Sequence, residues 1–79
     1  MKSLRSKQHT ILVDELRRLR GLAKVTQSEL AERLGVPQSY VAKVENLERR
    51  LDVVELVWWL DALGLAEAGQ SILERVRTG

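Results

Sequence analysis

The sequence predicts an all-α chain, a compact five-helix bundle, on three observations. Apolar residues recur at three- and four-residue spacing in successive stretches. Two stretches open on a Thr or Asp with Glu three residues later and close on glycine: Thr26, Glu29, Gly35 and Asp52, Glu55, Gly64. Hydrophobic residues make up 44%, dominated by Leu and Val with no Phe, enough for a small aliphatic core. The 79 residues fit one domain, set at 10–77, behind a basic flexible arm at 1–9.

In the arm, Lys2, Arg5 and Lys7 either reach phosphates or a minor groove or form a frayed terminus. A first helix is expected from Thr10 to Ala23. Leu12, Leu16, Leu19 and Ala23 face inward, and Asp14, Glu15, Arg17 and Arg18 face out, with Asp14 and Arg18 spaced to pair at i, i+4.

The next twenty residues, Thr26 to Glu45, organise the rest. Thr26 caps a second helix and Glu29 completes the capping box. Leu30, Ala31 and Leu34 form its apolar stripe, and Gly35 stops it in the left-handed conformation that only glycine enters freely. Val36 and Pro37 lead into a third helix, about Pro37 to Asn46, with Val41 and Val44 inward. A small residue where two backbones cross (Ala31), a turn glycine and apolar facing sides make this a helix-turn-helix pattern.

Asp52 caps a fourth helix, Val53 to Leu63, with Val53, Leu56, Leu60 and Leu63 as its core stripe. Trp58 and Trp59 stand about 100° apart, so Trp59 lies near the core and Trp58 half exposed. A fifth helix, Ala66 to Arg77, is weakened by Gly69. Its stripe of Ile72, Leu73 and Val76 packs on the first and fourth helices or on a second copy. Trp58, Ile72, Leu73 and Val76 are the dimer candidates.

Arg20, Thr26-Gln27, Leu30-Ala31, Gly35-Val36, Gln38-Ser39, Val41, Val44-Glu45 and Arg49-Arg50 stand in one register, and the chain from Leu16 to Leu65 resembles the Cro/C1-type (XRE-like) DNA-binding domain of phage lambdoid repressors. The resemblance implies the lambda-repressor-like form of the bundle and a structural ion pair between Arg20 and Glu45. It implies base contacts by Gln38, Ser39 and Lys43, and a phosphate contact by Gln27. Tyr40, Asn46, Arg49 and Arg50 are the further phosphate candidates. Tyr40 alternatively touches a thymine methyl or packs at the domain edge. Arg49 and Arg50 are alternatively neutralised by Glu48 and Asp52. The chain departs from the family twice. Lys24-Val25 stands where Gly-Leu is usual, and Leu47 stands where the family has Gly. Asn46 is therefore expected to take the left-handed conformation.

Net charge is +2, unevenly spread. Residues 1–25 carry seven Lys and Arg against Asp14 and Glu15, 26–50 balance, and 51–79 carry Arg75 and Arg77 against five acids. A basic front and acidic back suit a face turned to a polyanion, or an ordinary solvated surface. With no Cys there is no disulfide or thiolate site, which suits a cytoplasmic protein, nucleoid-associated when bound. The start does not read as a signal peptide and no apolar run reaches membrane-spanning length.

An enzyme is not expected. The only histidine, His9, lies in the arm, and no phosphate loop or buried carboxylate pair is present, so no catalytic residue, cofactor or metal is assigned. The leading expectation is a sequence-specific double-stranded DNA-binding regulator, a repressor, acting as a homodimer on an inverted-repeat operator. The alternative is a protein-interaction module, such as an antitoxin or antirepressor-like partner.

Overall fold

In the computed structural model residues 6–79 are described, and they are all-helical: α1 (Lys7–Leu22), α2 (Gln27–Leu34), α3 (Gln38–Glu45), α4 (Val53–Leu63), a 3-10 turn (Ala66–Ala68) and α5 (Gly69–Thr78). Lys2 and Arg5 of the expected arm lie outside the described residues. α2 packs on α3 and α4, and α1 packs on α3 and α5. Leu16, Val25, Leu30, Ala31, Val41, Val44, Trp59, Leu60, Leu63 and Ile72 form one core at the centre.

α1 begins three residues before the expected Thr10. Ser6 caps it, its hydroxyl accepting from the His9 amide at 3.1 Å. Lys7, Gln8 and His9 are therefore helical, and His9 is buried rather than part of a mobile arm. Three further residues of this helix differ from expectation. Val13 joins the buried set. Ala23 is exposed because it is the C-cap, past the last helical turn. Glu15 is buried, because α5 lies across it: Arg75 of α5 and Arg18 of α1 both pair with its carboxylate. Arg18 thus reaches Glu15 at i−3 instead of Asp14. The two guanidinium groups, Arg18 first, hold the Glu15 carboxyl below its ordinary pKa against the opposing effect of burial.

Thr26 and Asp52 each close a full capping box with Glu29 and Glu55, fixing the starts of α2 and α4. Four helices end in one hydrogen-bond pattern. After α1, Lys24 N–H donates to Gly21 C=O and Val25 N–H to Arg20 C=O; after α3, Leu47 N–H donates to Val44 C=O and Glu48 N–H to Lys43 C=O. The same two bonds close α2 at Gly35 and Val36 and α4 at Gly64 and Leu65. Each closure requires a left-handed residue at the end of the helix. Gly35 and Gly64 supply it at φ 72° and 73°, but Lys24 and Leu47 are driven there at φ 59° and 64°. Asn46 stays at φ −91° because it sits one position too early in this pattern, so Leu47 carries the strain instead.

Val53 was expected in the α4 stripe but is 77% exposed. As the first helical residue it projects past the edge of the core, which α4 fills with Trp59, Leu60 and Leu63. Trp58 is 58% exposed and Trp59 buried. The fifth stripe divides: Ile72 is buried in the chain's own core, Val76 is half-buried against it, and Leu73 points outward at 62% exposure. Ile72 is thus withdrawn from the dimer candidates by this domain's own packing. No described helix is long and apolar enough to cross a membrane.

Candidate nucleic-acid interface

Six of the eight residues of α3 divide by face, with Tyr40 and Ala42 half-buried between them. Val41, Val44 and Glu45 are buried, while Gln38, Ser39 and Lys43 are exposed side by side at its N-terminal end and one turn on. Pro37 stands at the N-cap with extended backbone, so α3 opens without a side-chain cap, and within its first turn the Tyr40 amide donates to the Pro37 carbonyl at 3.0 Å.

The helix is held from beneath. Arg20 Nε donates to Glu45 Oε2 at 2.7 Å and Nη2 to Oε1 at 2.9 Å. Its Nη1 donates to the Val25 carbonyl at 2.9 Å. One guanidinium therefore ties α1, the turn before α2 and the end of α3 together, with the Glu45 side chain 2% and the Arg20 side chain 19% exposed. Bidentate planar pairing fixes direction as well as distance. Arg17 adds a second positive group at 4.0 Å from Glu45 Oε1.

Gln27, at the start of α2, is engaged within the protein: its Nε2 donates to Glu45 Oε1 at 2.9 Å, and its Oε1 accepts from Gln38 Nε2 at 3.4 Å. Ser28 Oγ donates to Gln38 Oε1 at 3.0 Å. Ser28 was not singled out in the sequence. A polar residue in the first turn of a helix carries no local mark, and its partner lies ten positions on.

The remaining phosphate candidates fall into two groups. Tyr40 and Arg49 are drawn to Glu55. Arg49 Nη2 and Nη1 lie 2.9 and 3.3 Å from the two carboxylate oxygens, and the Tyr40 hydroxyl lies 3.2 Å from Oε2. The Arg49 guanidinium also sits 4.6 Å above the Tyr40 ring, which itself tilts against Trp59. Hydrogen bonds from Arg49 hold the Glu55 carboxyl below its ordinary pKa, while burial and then Glu55 push the Tyr40 phenol up. Glu55 is the acid that pairs directly with Arg49, and the Asp52 charge adds to it from further off. Asn46 and Arg50 are exposed beyond the end of α3. Arg50 lies near enough to His9 for its charge to lower the histidine pKa, after burial.

Two patches lie away from α3. Val53, Leu56, Val57, Leu60 and Leu73 line an apolar groove of about 220 Å³ between α4 and α5. Trp58 borders a separate hollow with Arg33, Leu34 and Asp61. Among the described residues no group of three or more His, Asp or Glu is placed to hold a metal ion.

The sequence model of the helix-turn-helix family matches residues 16–69, which span α2, α3 and α4 and the C-terminal part of α1 from Leu16. A solved structure described as an XRE-family like protein from Pseudomonas syringae pv. tomato str. DC3000 is similar at 41% identity and a TM-score of 0.80, over 90% of this chain and 84% of that one. No curated protein matches the chain. On the extent of the family match, the Arg20–Glu45 frame and the outward face of α3, the chain belongs to the Cro/C1-type (XRE-like) helix-turn-helix family of DNA-binding regulators.

Proposed function

We propose that this protein is a sequence-specific double-stranded DNA-binding repressor that acts as a homodimer on an inverted-repeat operator, with α3 in the major groove. The observation that carries the reading is the division of α3: its inner face is locked by Val41, Val44 and the Arg20–Glu45 pair, and its outer face exposes Gln38, Ser39 and Lys43. Gln suits the adenine edge, Lys the guanine edge, and Ser is permissive. Asn46, Arg50, Gln27 and Arg49 supply the phosphate contacts, Arg49 with part of its charge shared with Glu55. Tyr40 serves by holding Arg49 and Glu55, since its hydroxyl is already bonded.

Val53, Val57, Trp58 and Leu73 give the two-fold contact its apolar material. The same exposure favours a second reading, a module whose main ligand is another protein. Selection of random duplexes by the purified protein at near-physiological salt separates the two. An enriched inverted repeat with half-sites about one helical turn apart establishes the dimeric regulator. No enrichment, with a stable hetero-complex instead, establishes the interaction module.

A further inference from the structure

We propose that Ser28 is a positioning residue that sets the base preference of Gln38. The inference rests on the DNA-reading role assigned to Gln38 and adds a residue outside α3 to the determinants of specificity.

The argument begins at Glu45, whose carboxylate lies against Arg20 and offers only acceptors. Gln27 must therefore turn its Nε2 toward Glu45, which leaves its Oε1 facing α3. An oxygen there calls for a donor, so Gln38 turns its own Nε2 toward Gln27. That leaves Gln38 Oε1 on the other side, where Ser28 Oγ donates to it at 3.0 Å. The polarity of every bond in this relay follows from the carboxylate at its root.

The relay matters because a glutamine amide is nearly symmetric in shape and opposite in chemistry at its two ends. Each end of Gln38 uses one of its two hydrogen-bonding positions inside the protein, leaving one N–H and one oxygen lone pair for DNA. That pair matches adenine, whose N7 accepts and whose N6 donates. A flipped amide would bring like groups together on the same base edge. The Gln27–Gln38 link is long at 3.4 Å, so Ser28 makes the shorter of the two contacts that fix Gln38. Both contacts are exposed, and in the free protein water competes for them. In a docked groove that water is displaced, and a misdirected amide would leave buried groups unpaired.

The test compares Ser28→Ala and Ser28→Thr with the wild type in two measurements on the full chain. The first is side-chain 15N relaxation of Gln38 in the free protein. The second is competition binding to duplexes varied at each operator position. Ser28→Ala should mobilise the Gln38 amide and reduce preference at one position by about five- to tenfold. Affinity for unrelated duplex and the salt slope should stay unchanged. Ser28→Thr, which keeps the hydroxyl, should retain both order and preference. Unchanged Gln38 order in Ser28→Ala overturns the relay. A loss spread evenly over all operator positions overturns the positioning role in favour of a merely structural one. A wild type with no base preference overturns the role in specificity together with the regulator reading, and is told apart because Gln38 order then still responds to Ser28.

Discussion

Arg20 and Glu45 meet fork to fork at 2.7 and 2.9 Å, joining the last turn of α1 to the last turn of α3. Removing one member strands the other in a site with little water. Arg20→Ala should cost about 3 kcal/mol in urea unfolding, and Arg20→Lys should recover only part, because an ammonium cannot pair at both oxygens. Replacing both residues with Met should be milder than either single truncation. A near-zero cost for Arg20→Ala would remove this pair from the frame of α3.

Lys24 is exposed and held at φ 59°, so its backbone strain has no packing to offset it. Lys24→Gly should stabilise the protein by about 0.5–1 kcal/mol, the left-handed penalty of roughly 1–2 kcal/mol less the entropy that glycine loses on folding. Lys24→Val should destabilise it, since a branched Cβ fits that conformation worst. Thermal unfolding of the three proteins checks the order. Leu47→Gly should gain less, because it also forfeits a half-buried side chain.

His9 is buried with its Nε2 unpaired, and burial followed by the Arg50 charge lowers its pKa. The folded value lies below the unfolded one of about 6.5, so the stability contributed by neutral His9 is full above that pH. It is lost as pH falls toward the folded value. Unfolding free energy should therefore decline as pH falls below about 6.5, while Glu15 and Glu55, with lowered pKa values, remain charged. His9→Leu should flatten that decline. An identical slope in the variant would assign the titration elsewhere.

Lys43 stands exposed one turn along α3 and is in no ion pair among the described residues. Lys43→Ala should change base preference at one operator position by about 1–3 kcal/mol. Uniform weakening on all sequences would instead place Lys43 on a phosphate.

Arg49 is shared between Glu55 and any phosphate it reaches. Glu55→Gln keeps an oxygen for the α4 capping box but removes the charge that competes for Arg49. The salt dependence of duplex binding should then steepen by up to about one unit in the log–log slope. An unaltered slope would confine Arg49 to the loop that it now closes.

Local chemistry made much of this fold readable. The bounds of α4 follow from Asp52, Glu55 and Gly64, and the turn after α2 from Gly35, because a cap or a left-handed stop is decided within a few residues. Glu15 was misplaced for the opposite reason: its second partner, Arg75, lies 60 positions away, and helical periodicity cannot register it. Ile72 and Leu73 are both apolar, and which of them α5 buries depends on how that helix docks. The outward placement of Gln38 and Lys43 is legible from the register of α3. The commitment of Tyr40 and Arg49 to Glu55 needed the turn between α3 and α4 to be folded.

α1 carries two attachments at neighbouring levels. Glu15 receives Arg75 from α5, and Arg20, five residues and roughly 7.5 Å further along, grips Glu45 of α3. In mechanical terms this helix is a shaft with a bearing for each neighbour. The two ion pairs seat α5 and α3 on the same helix, so the placement of each is set against a common hydrogen-bonded rod as well as by the loops between them.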